Sequence, residues 1–257
     1  MFFSNIILGI IQGITEFLPI SSSGHLLILQ EIFKTDNRLI VDILLHIATI
    51  LAVIIYFYKD LVCLIEGVFK KDRESLRSLF FILITTFITG IIAIIAKDFF
   101  DSLFNSAHLI SLSFLFTGTI LVMTKKFMTG NQNINSINLN YAFILGVTQA
   151  IAITPGISRS GITIATLLFM SFKKEEAFRI SFLVSIPAVI GALILEFKGI
   201  SSALINNFYP ILAGFIAALI FGLLSLRLLS FLIEKSKFYI FGFYCFFIAI
   251  LTFIYFK

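Results

Sequence analysis

The sequence predicts an all-α integral membrane protein with about six transmembrane helices and two shorter, broken helical segments. Its 257 residues are 59% hydrophobic and only 13% charged, with a mean hydropathy of +1.07, whereas a soluble domain carries about 25% charged residues. Six apolar runs are long enough, or nearly so, to cross a hydrocarbon core of roughly 30 Å. They cover residues 39–58, 79–96, 107–124, 180–197, 205–226 and 238–256.

We expect a single membrane domain over residues 1–257, because no segment has the composition of a second, soluble domain. The formal net charge of +5 does not call for a nucleic-acid partner, since basic residues flank membrane helices. Cys63 and Cys245 lie far apart and lack metal-binding spacing, so we expect neither a disulfide nor a zinc site.

The first broken segment opens the chain, where Pro19 interrupts a helix that begins near Asn5. Proline lacks an N–H and disfavours helical geometry at the preceding residue. The serines at 21–23 then predict the N-cap of a second short helix, which runs through His25 to Ile32. Each half is too short to span a bilayer. In membrane proteins, broken helices with polar groups usually line an enclosed or water-filled site.

The second broken segment runs from Tyr141 to about Phe172, with its interruption at Pro155 and Gly156. Ser158 is placed to cap the helix that follows, which puts the next residue, an arginine, in the first turn. We interpret both broken segments as re-entrant hairpins that enter and leave on one side of the membrane.

Lysine and arginine predict the orientation, because cytoplasmic loops carry an excess of them. With the loop 59–77 inside, thirteen basic residues lie at the inner face and five at the outer face. The outer group is Lys34, Arg38, Lys97, Lys198 and Lys257. Both termini then lie outside, and the loop 129–140 lies inside. The first hairpin enters from the outside and the second from the inside.

Opposed hairpins of this kind are typical of an inverted-topology repeat. Five identities occur at an offset of 137 residues and fall within the two broken segments. Gly9, Gln12, Ser21, Ser23 and Gly24 match Gly146, Gln149, Ser158, Ser160 and Gly161. We therefore predict repeat one over about 1–128 and repeat two over about 138–257. Such repeats place binding sites near the membrane midplane, at their interface.

Arg159 indicates an anion site. An arginine beside the positive N-terminus of a helix is unfavourable by itself, so its position makes sense if an anion binds there. Backbone N–H groups, serine hydroxyls and a guanidinium together form a phosphate cradle. If the tips of the two hairpins meet, the serines at 21–23 and His25 face the same anion.

Gln12 and Glu16 lie four residues apart, on one helical face. One carboxylate, one amide and phosphate oxygens suit Mg²⁺ or Ca²⁺ better than a softer metal. The simpler interpretation pairs Glu16 with a surface lysine, but a membrane carboxylate costs about 2.5–3.5 kcal/mol and is functional by default. His46 is more typical of a packed or backbone-bonded histidine than of a catalyst, and His108 is expected at the membrane interface.

These residues resemble those of the undecaprenyl-diphosphatase family, also called bacitracin-resistance proteins, and the resemblance covers essentially the whole chain. It is strongest from Gln12-x-x-x-Glu16 to Ser-Ser-Ser-Gly-His25 and from Pro155 to Thr163. It implies a metal-assisted phosphatase of the bacterial inner membrane, multi-pass, with its site facing the outer side. Such an enzyme recycles the cell-wall lipid carrier and confers bacitracin resistance.

The resemblance also implies residue roles. It associates Glu16 and Gln12 with metal or substrate, Ser22 with attack or phosphate contact, and His25 with proton transfer. The family often has glutamate where Gln12 stands, and glutamine cannot act as a base. Glu16 and Gln12 are the expected ligands of Mg²⁺ or Ca²⁺. The expected phosphate-binding residues are Ser21, Ser23, Ser158, Arg159, Ser160 and Thr163.

The sequence therefore predicts an enzyme that hydrolyses a polyprenyl diphosphate to the monophosphate and inorganic phosphate, with Ser22 or a metal-bound water as nucleophile. The alternative is a transporter or flippase for a phosphate-bearing lipid, since inverted repeats with broken helices are typical of carriers. A structural membrane protein would leave Glu16, His25 and Arg159 unexplained. The enzyme is favoured because a carrier has no use for a nucleophile beside a histidine. The expected partners are the lipid substrate and membrane lipid, without nucleic acid; a homo-oligomer is left open.

Overall fold

The computed structural model describes residues 2–33, 38–103, 107–196 and 208–255. Within these ranges the chain forms twelve α-helices, and its only β-type pairing is an isolated bridge between Gln132 and Phe172. The helices are Phe2–Phe17 (α1), Ser22–Phe33 (α2), Arg38–Tyr56 (α3), Tyr58–Phe69 (α4), Arg73–Ile95 (α5), Lys97–Leu103 (α6), Ala107–Met123 (α7), Leu139–Ile151 (α8), Arg159–Phe169 (α9), Lys174–Glu196 (α10), Phe208–Glu234 (α11) and Ile240–Tyr255 (α12).

The helices confirm the prediction of an all-α membrane protein. Four of them, α5, α7, α10 and α11, are long and apolar enough to cross a bilayer. A fifth span results if α3 and α4 count as one, although they meet at a bend of 72°. Each of the six predicted spans overlaps one helix, but α12 has only 16 residues. A total of six spans therefore stays a prediction.

The orientation also stays a prediction, and part of it falls outside the described ranges. Lys34, Lys198 and Lys257 of the outer group lie there. On the inner side, the segment 59–77 is mostly helical, because α4 continues to Phe69 and α5 begins at Arg73. The expectation of a loop was wrong here, since a turn of only three residues, 70–72, separates the two helices.

Both helix breaks lie where proline predicts them. α1 ends at Phe17, two residues before Pro19, and α8 ends at Ile151, four residues before Pro155. The two breaks share one hydrogen-bond pattern. Ser21 Oγ accepts the Gly24 N–H at 3.4 Å and lies 3.3 Å from Ser23 Oγ. The equivalent contacts, at 3.1 and 3.2 Å, recur 137 residues later among Ser158, Gly161 and Ser160.

The helices of the two predicted repeats interleave. α1 packs against α11, and its counterpart at the same offset, α8, packs against α5. Likewise α3 packs against α11 and α10 against α5. Glycines allow both crossings, since a Cβ on Gly9 would lie 2.1 Å from Gly214 O and one on Gly146 would lie 2.8 Å from Ile88 Cβ. The opening helix of each half thus packs on the other half, while the inverted topology stays a prediction.

An aromatic cluster holds the end of α1. Phe17 packs edge-on against Phe182 of α10, with ring centroids 5.7 Å apart. Phe57 stacks on Phe182 at 5.8 Å, and Phe178 lies 5.0 Å from the same ring. Phe17, Phe57 and Phe182 are almost fully buried. Because close-packed interiors resist displacement, this cluster fixes the last turn of α1, where Glu16 lies.

The second break is held by Thr117 of α7. Its hydroxyl donates to Gly156 O at 3.0 Å and accepts the Ser158 N–H at 3.3 Å. Gly156 has φ +89°, and a Cβ there would lie 2.7 Å from Ile110 O. Glycine is therefore required at this position for both its backbone conformation and the space around it.

We predict that Gly156→Ala destabilises the protein by about 1–3 kcal/mol, because alanine pays for a left-handed backbone and also meets the Ile110 carbonyl. Thermal unfolding in detergent measures the effect. The matched control is Gly191→Ala, since Gly191 lies inside α10 and a Cβ there meets no atom within 4 Å. That control is expected to be neutral or to gain roughly 0.5–1 kcal/mol. Equal melting temperatures for the two variants would contradict the assignment.

Candidate active site

The tips of the two broken segments meet at the carboxylate of Glu16. Arg159 Nη2 donates to Glu16 Oε1 at 2.6 Å. Ser22 Oγ donates to Glu16 Oε2 at 2.5 Å, and Gln12 Nε2 donates to the same oxygen at 3.2 Å. The Glu16 side chain is only 8% exposed. A buried carboxylate needs this many donors, because its loss of hydration is costly unless it is paired and hydrogen-bonded.

Each partner reaches Glu16 because a helix begins nearby. Ser22 is the first residue of α2, and Arg159 is the first residue of α9. Ser158 caps α9 as predicted, by accepting the Gly161 N–H. The sequence placed Arg159 at a positive helix terminus that calls for an anion. In the structure the carboxylate of Glu16 supplies that negative charge.

A cavity of about 500 Å³ lies against this junction. Its polar wall contains Glu16, Ser21, Ser22, Ser23, His46, Ser158 and Arg159. The cavity thus brings together the N-terminal ends of two helices, one guanidinium and several hydroxyls. These are the groups that bind phosphate oxygens.

Ser160 and Thr163 do not line this cavity, although both were expected to bind phosphate. The Ser160 hydroxyl bonds to Ser158 at 3.2 Å. The Thr163 hydroxyl donates to Arg159 O at 2.7 Å and lies 2.6 Å from Ser181 Oγ of α10. Both side chains are almost fully buried. The structure therefore places them behind the site, where they hold the first turn of α9.

His25 lies away from Ser22, despite their spacing of three residues on one helix. Its Nδ1 is 2.7 Å from Ser21 O and its Nε2 is 2.8 Å from the Tyr244 hydroxyl of α12. The rings of His25 and Tyr244 stack with centroids 5.8 Å apart. A carbonyl only accepts, so Nδ1 donates to it and Nε2 accepts the tyrosine proton. The role of His25 in proton transfer stays a prediction, but neither ring nitrogen contacts the Glu16 junction.

His46 is the site residue that sequence reasoning set aside. Its Nδ1 lies 2.8 Å from Asp42 O, so the expected backbone bond is present. Its Nε2, however, lies 3.7 Å from Glu16 Oε2, and the residue lines the cavity. The signal in the sequence was the position of an ionisable residue inside an apolar run, which indicates function by default.

Gln149, the repeat counterpart of Gln12, also lines the cavity. Its Nε2 donates to Thr89 Oγ1 of α5 at 3.2 Å, while its Oε1 is buried without a hydrogen-bond partner. Only the repeat offset pointed to this residue. Nothing in its local sequence predicts a place in the cavity wall.

Glu16 and Gln12 fit the expected role in holding Mg²⁺ or Ca²⁺. A carboxylate and an amide oxygen are the donors that these ions prefer, and Gln12 Oε1 is buried without a hydrogen-bond partner. Across the described ranges, no group of three or more His, Cys, Asp or Glu side chains could hold an ion. An ion here would therefore need the phosphate oxygens of a substrate as further ligands.

Comparison with known proteins gives one consistent result. A family model described as "Bacitracin resistance protein BacA" matches residues 5–251. Undecaprenyl-diphosphatase of Methanosphaera stadtmanae is 38% identical and covers 98% of this chain and 96% of its own length. The protein of the same name from Alkaliphilus metalliredigens is 40% identical, with 94% of each chain covered. That of Thermosipho melanesiensis is 39% identical, with 97% of each covered.

Proposed function

We infer that this chain, which belongs to the bacitracin resistance protein BacA family, is an undecaprenyl-diphosphatase. It hydrolyses undecaprenyl diphosphate to undecaprenyl phosphate and inorganic phosphate, as the name of its relatives states. The observation that carries this conclusion is the junction of Glu16, Ser22 and Arg159 inside a membrane protein. A hydroxyl, a carboxylate that accepts its proton and a cation that faces the cavity are what phosphoryl transfer requires.

The terminal phosphate of the substrate is proposed to bind at the start of α2 and α9. Arg159 has five N–H donors, so it can hold a phosphate oxygen while it keeps its bond to Glu16. Ser21, Ser23 and Ser158 line the same wall. Charge that develops on the equatorial phosphate oxygens is stabilised there by groups already in position.

Ser22 is the proposed nucleophile. Its Oγ lies 2.5 Å from Glu16 Oε2, so the carboxylate can take the proton as the oxygen attacks the terminal phosphorus. The bond between that phosphorus and the bridging oxygen breaks, and undecaprenyl phosphate departs with the electron pair. Water then attacks the phosphoserine to release inorganic phosphate, and the proton returns to Ser22. This assignment gives Glu16, rather than His25, the role of base for Ser22.

A divalent cation is proposed as part of the reaction. When bound, it would neutralise charge on the diphosphate oxygens. Glu16 and Gln12 are the residues that would hold it, together with the substrate.

We also propose that the enzyme resides in the cell's inner membrane with the cavity facing the outer side. The excess of lysine and arginine in the segments assigned to the inside supports this orientation.

The experiment that tests the function is release of phosphate from undecaprenyl diphosphate by the purified protein. We expect turnover with Mg²⁺ or Ca²⁺ present, loss of at least about tenfold on addition of EDTA, and recovery when the ion is restored, because the diphosphate charge is then neutralised again. No release in any ion would refute the phosphatase. Turnover unchanged in EDTA would refute only the metal.

We predict that Ser22→Ala lowers kcat by several orders of magnitude, since removal of a nucleophile does so. Ser23→Ala is the matched control, because it removes a neighbouring hydroxyl of the same wall, and we expect it to lose less than about tenfold. Turnover in ¹⁸O-water, followed by mass spectrometry of the phosphate, accompanies the kinetics. A Ser22→Ala variant that keeps more than about a tenth of wild-type kcat would transfer attack to water.

A further inference from the structure

The cavity beside Glu16 has a second, largely apolar end. Its walls there are formed by α5 and α10, which pack against each other. On α5 the lining residues recur at helical spacing and are mostly small: Thr86, Thr89, Gly90, Ala93 and Ile94. On α10 they include Pro187, Ala188, Gly191 and Ala192. One face of each helix is thus reserved for small side chains, and the space between them is left open.

Gly90 and Gly191 mark that open space. A Cβ added at either position meets no heavy atom within 4 Å, apart from its own helix backbone. Other glycines in the chain, such as Gly9 and Gly146, lie at tight helix crossings. Glycine weakens a helix interior relative to alanine. Close packing between helices cannot account for these two, because no neighbour approaches them.

The apolar end of the cavity reaches the outside of the helix bundle. Ile94, which lines the cavity, is 65% exposed, and Ile194 on α10 is 68% exposed. Along α5, the distance from Thr86 to Ile94 is about 12 Å at 1.5 Å per residue. A continuous path therefore runs from the phosphate-binding wall to the surface that meets lipid.

We propose that the first isoprene units of the substrate leave the diphosphate site along this path, which we call the α5–α10 groove (Gly90, Ala93, Ile94, Gly191 and Ala192). This inference rests on the proposed function, because it takes a polyprenyl diphosphate as the substrate. The groove connects directly with the junction of Glu16 and Arg159 through one cavity. Gly90 and Gly191 admit the chain, and the rest of the chain stays in the bilayer.

The groove acts through shape. Lipid tails are as apolar as the groove, so moving a prenyl chain from the bilayer into it yields little hydrophobic free energy. What a fitted groove supplies is position, since it holds the diphosphate against Arg159 and Ser22. Side chains that fill the groove should therefore lower kcat/KM for prenyl substrates.

The first measurement is kinetic. Gly90→Leu and Gly191→Leu are expected to lower kcat/KM for undecaprenyl diphosphate at least tenfold, since the branched side chain occupies the groove. Ile91→Leu is the matched control, because Ile91 is the next residue on α5, is 40% exposed and does not line the cavity. It should stay within about twofold. Wild-type kinetics in both glycine variants would overturn the proposal.

The second measurement does not depend on turnover or on the folding of the leucine variants. Gly90→Cys, Gly191→Cys and, as control, Ile91→Cys are made in a Cys63→Ser background, because Cys63 is exposed and Cys245 is buried. The rate of maleimide labelling is compared with farnesyl diphosphate, inorganic diphosphate and phosphatidylglycerol. We expect farnesyl diphosphate alone to slow labelling at 90 and 191, by at least about fivefold, and to leave 91 unchanged.

Three results are decisive. Equal protection by inorganic diphosphate and farnesyl diphosphate, or none by either, would overturn the prenyl path. Equal protection by phosphatidylglycerol would make the groove a general lipid site and would also overturn it. The proposed function fails separately, if the wild-type protein releases no phosphate from undecaprenyl diphosphate.

Discussion

The carboxylate of Glu16 accepts hydrogen bonds from both halves of the chain, and the site depends on that junction. Arg159 reaches it from the second broken segment at 2.6 Å, while Ser22 and Gln12 reach it from the first. Charges this deeply buried lose several kcal/mol of hydration each, and their attraction offsets this only with good geometry and further hydrogen bonds. The junction therefore needs every one of its donors, and it orients the hydroxyl and the guanidinium before any substrate arrives.

The interleaved helices make this geometry rigid. α1, which carries Glu16, packs on α11 of the second half, and α8, which leads to Arg159, packs on α5 of the first half. Glycines at both crossings bring the backbones close. Neither broken segment can move without disturbing the other half. A site at the interface of two repeats thus gains its precision from packing that neither repeat could supply alone.

Local chemistry made much of this architecture predictable. Pro19 and Pro155 locate the breaks, Ser158 locates a cap, and the identities at 137 residues predict the matching bonds of Ser21 and Ser158. The sequence could not predict which histidine faces Glu16. That depends on the contact of His25 with Tyr244, which lies 219 residues away, and on the rotation of α3 that turns His46 inward. Both are set by tertiary packing, on which local pattern carries no information.

A double-mutant cycle with Glu16→Gln and Arg159→Lys tests the central claim most directly, with kcat/KM for undecaprenyl diphosphate as the readout. If the two side chains form one unit, either change alone breaks it, and the double variant should lose far less than the product of the single losses. The coupling should then reach at least about 1 kcal/mol. Losses that multiply, as for independent sites, would contradict the account.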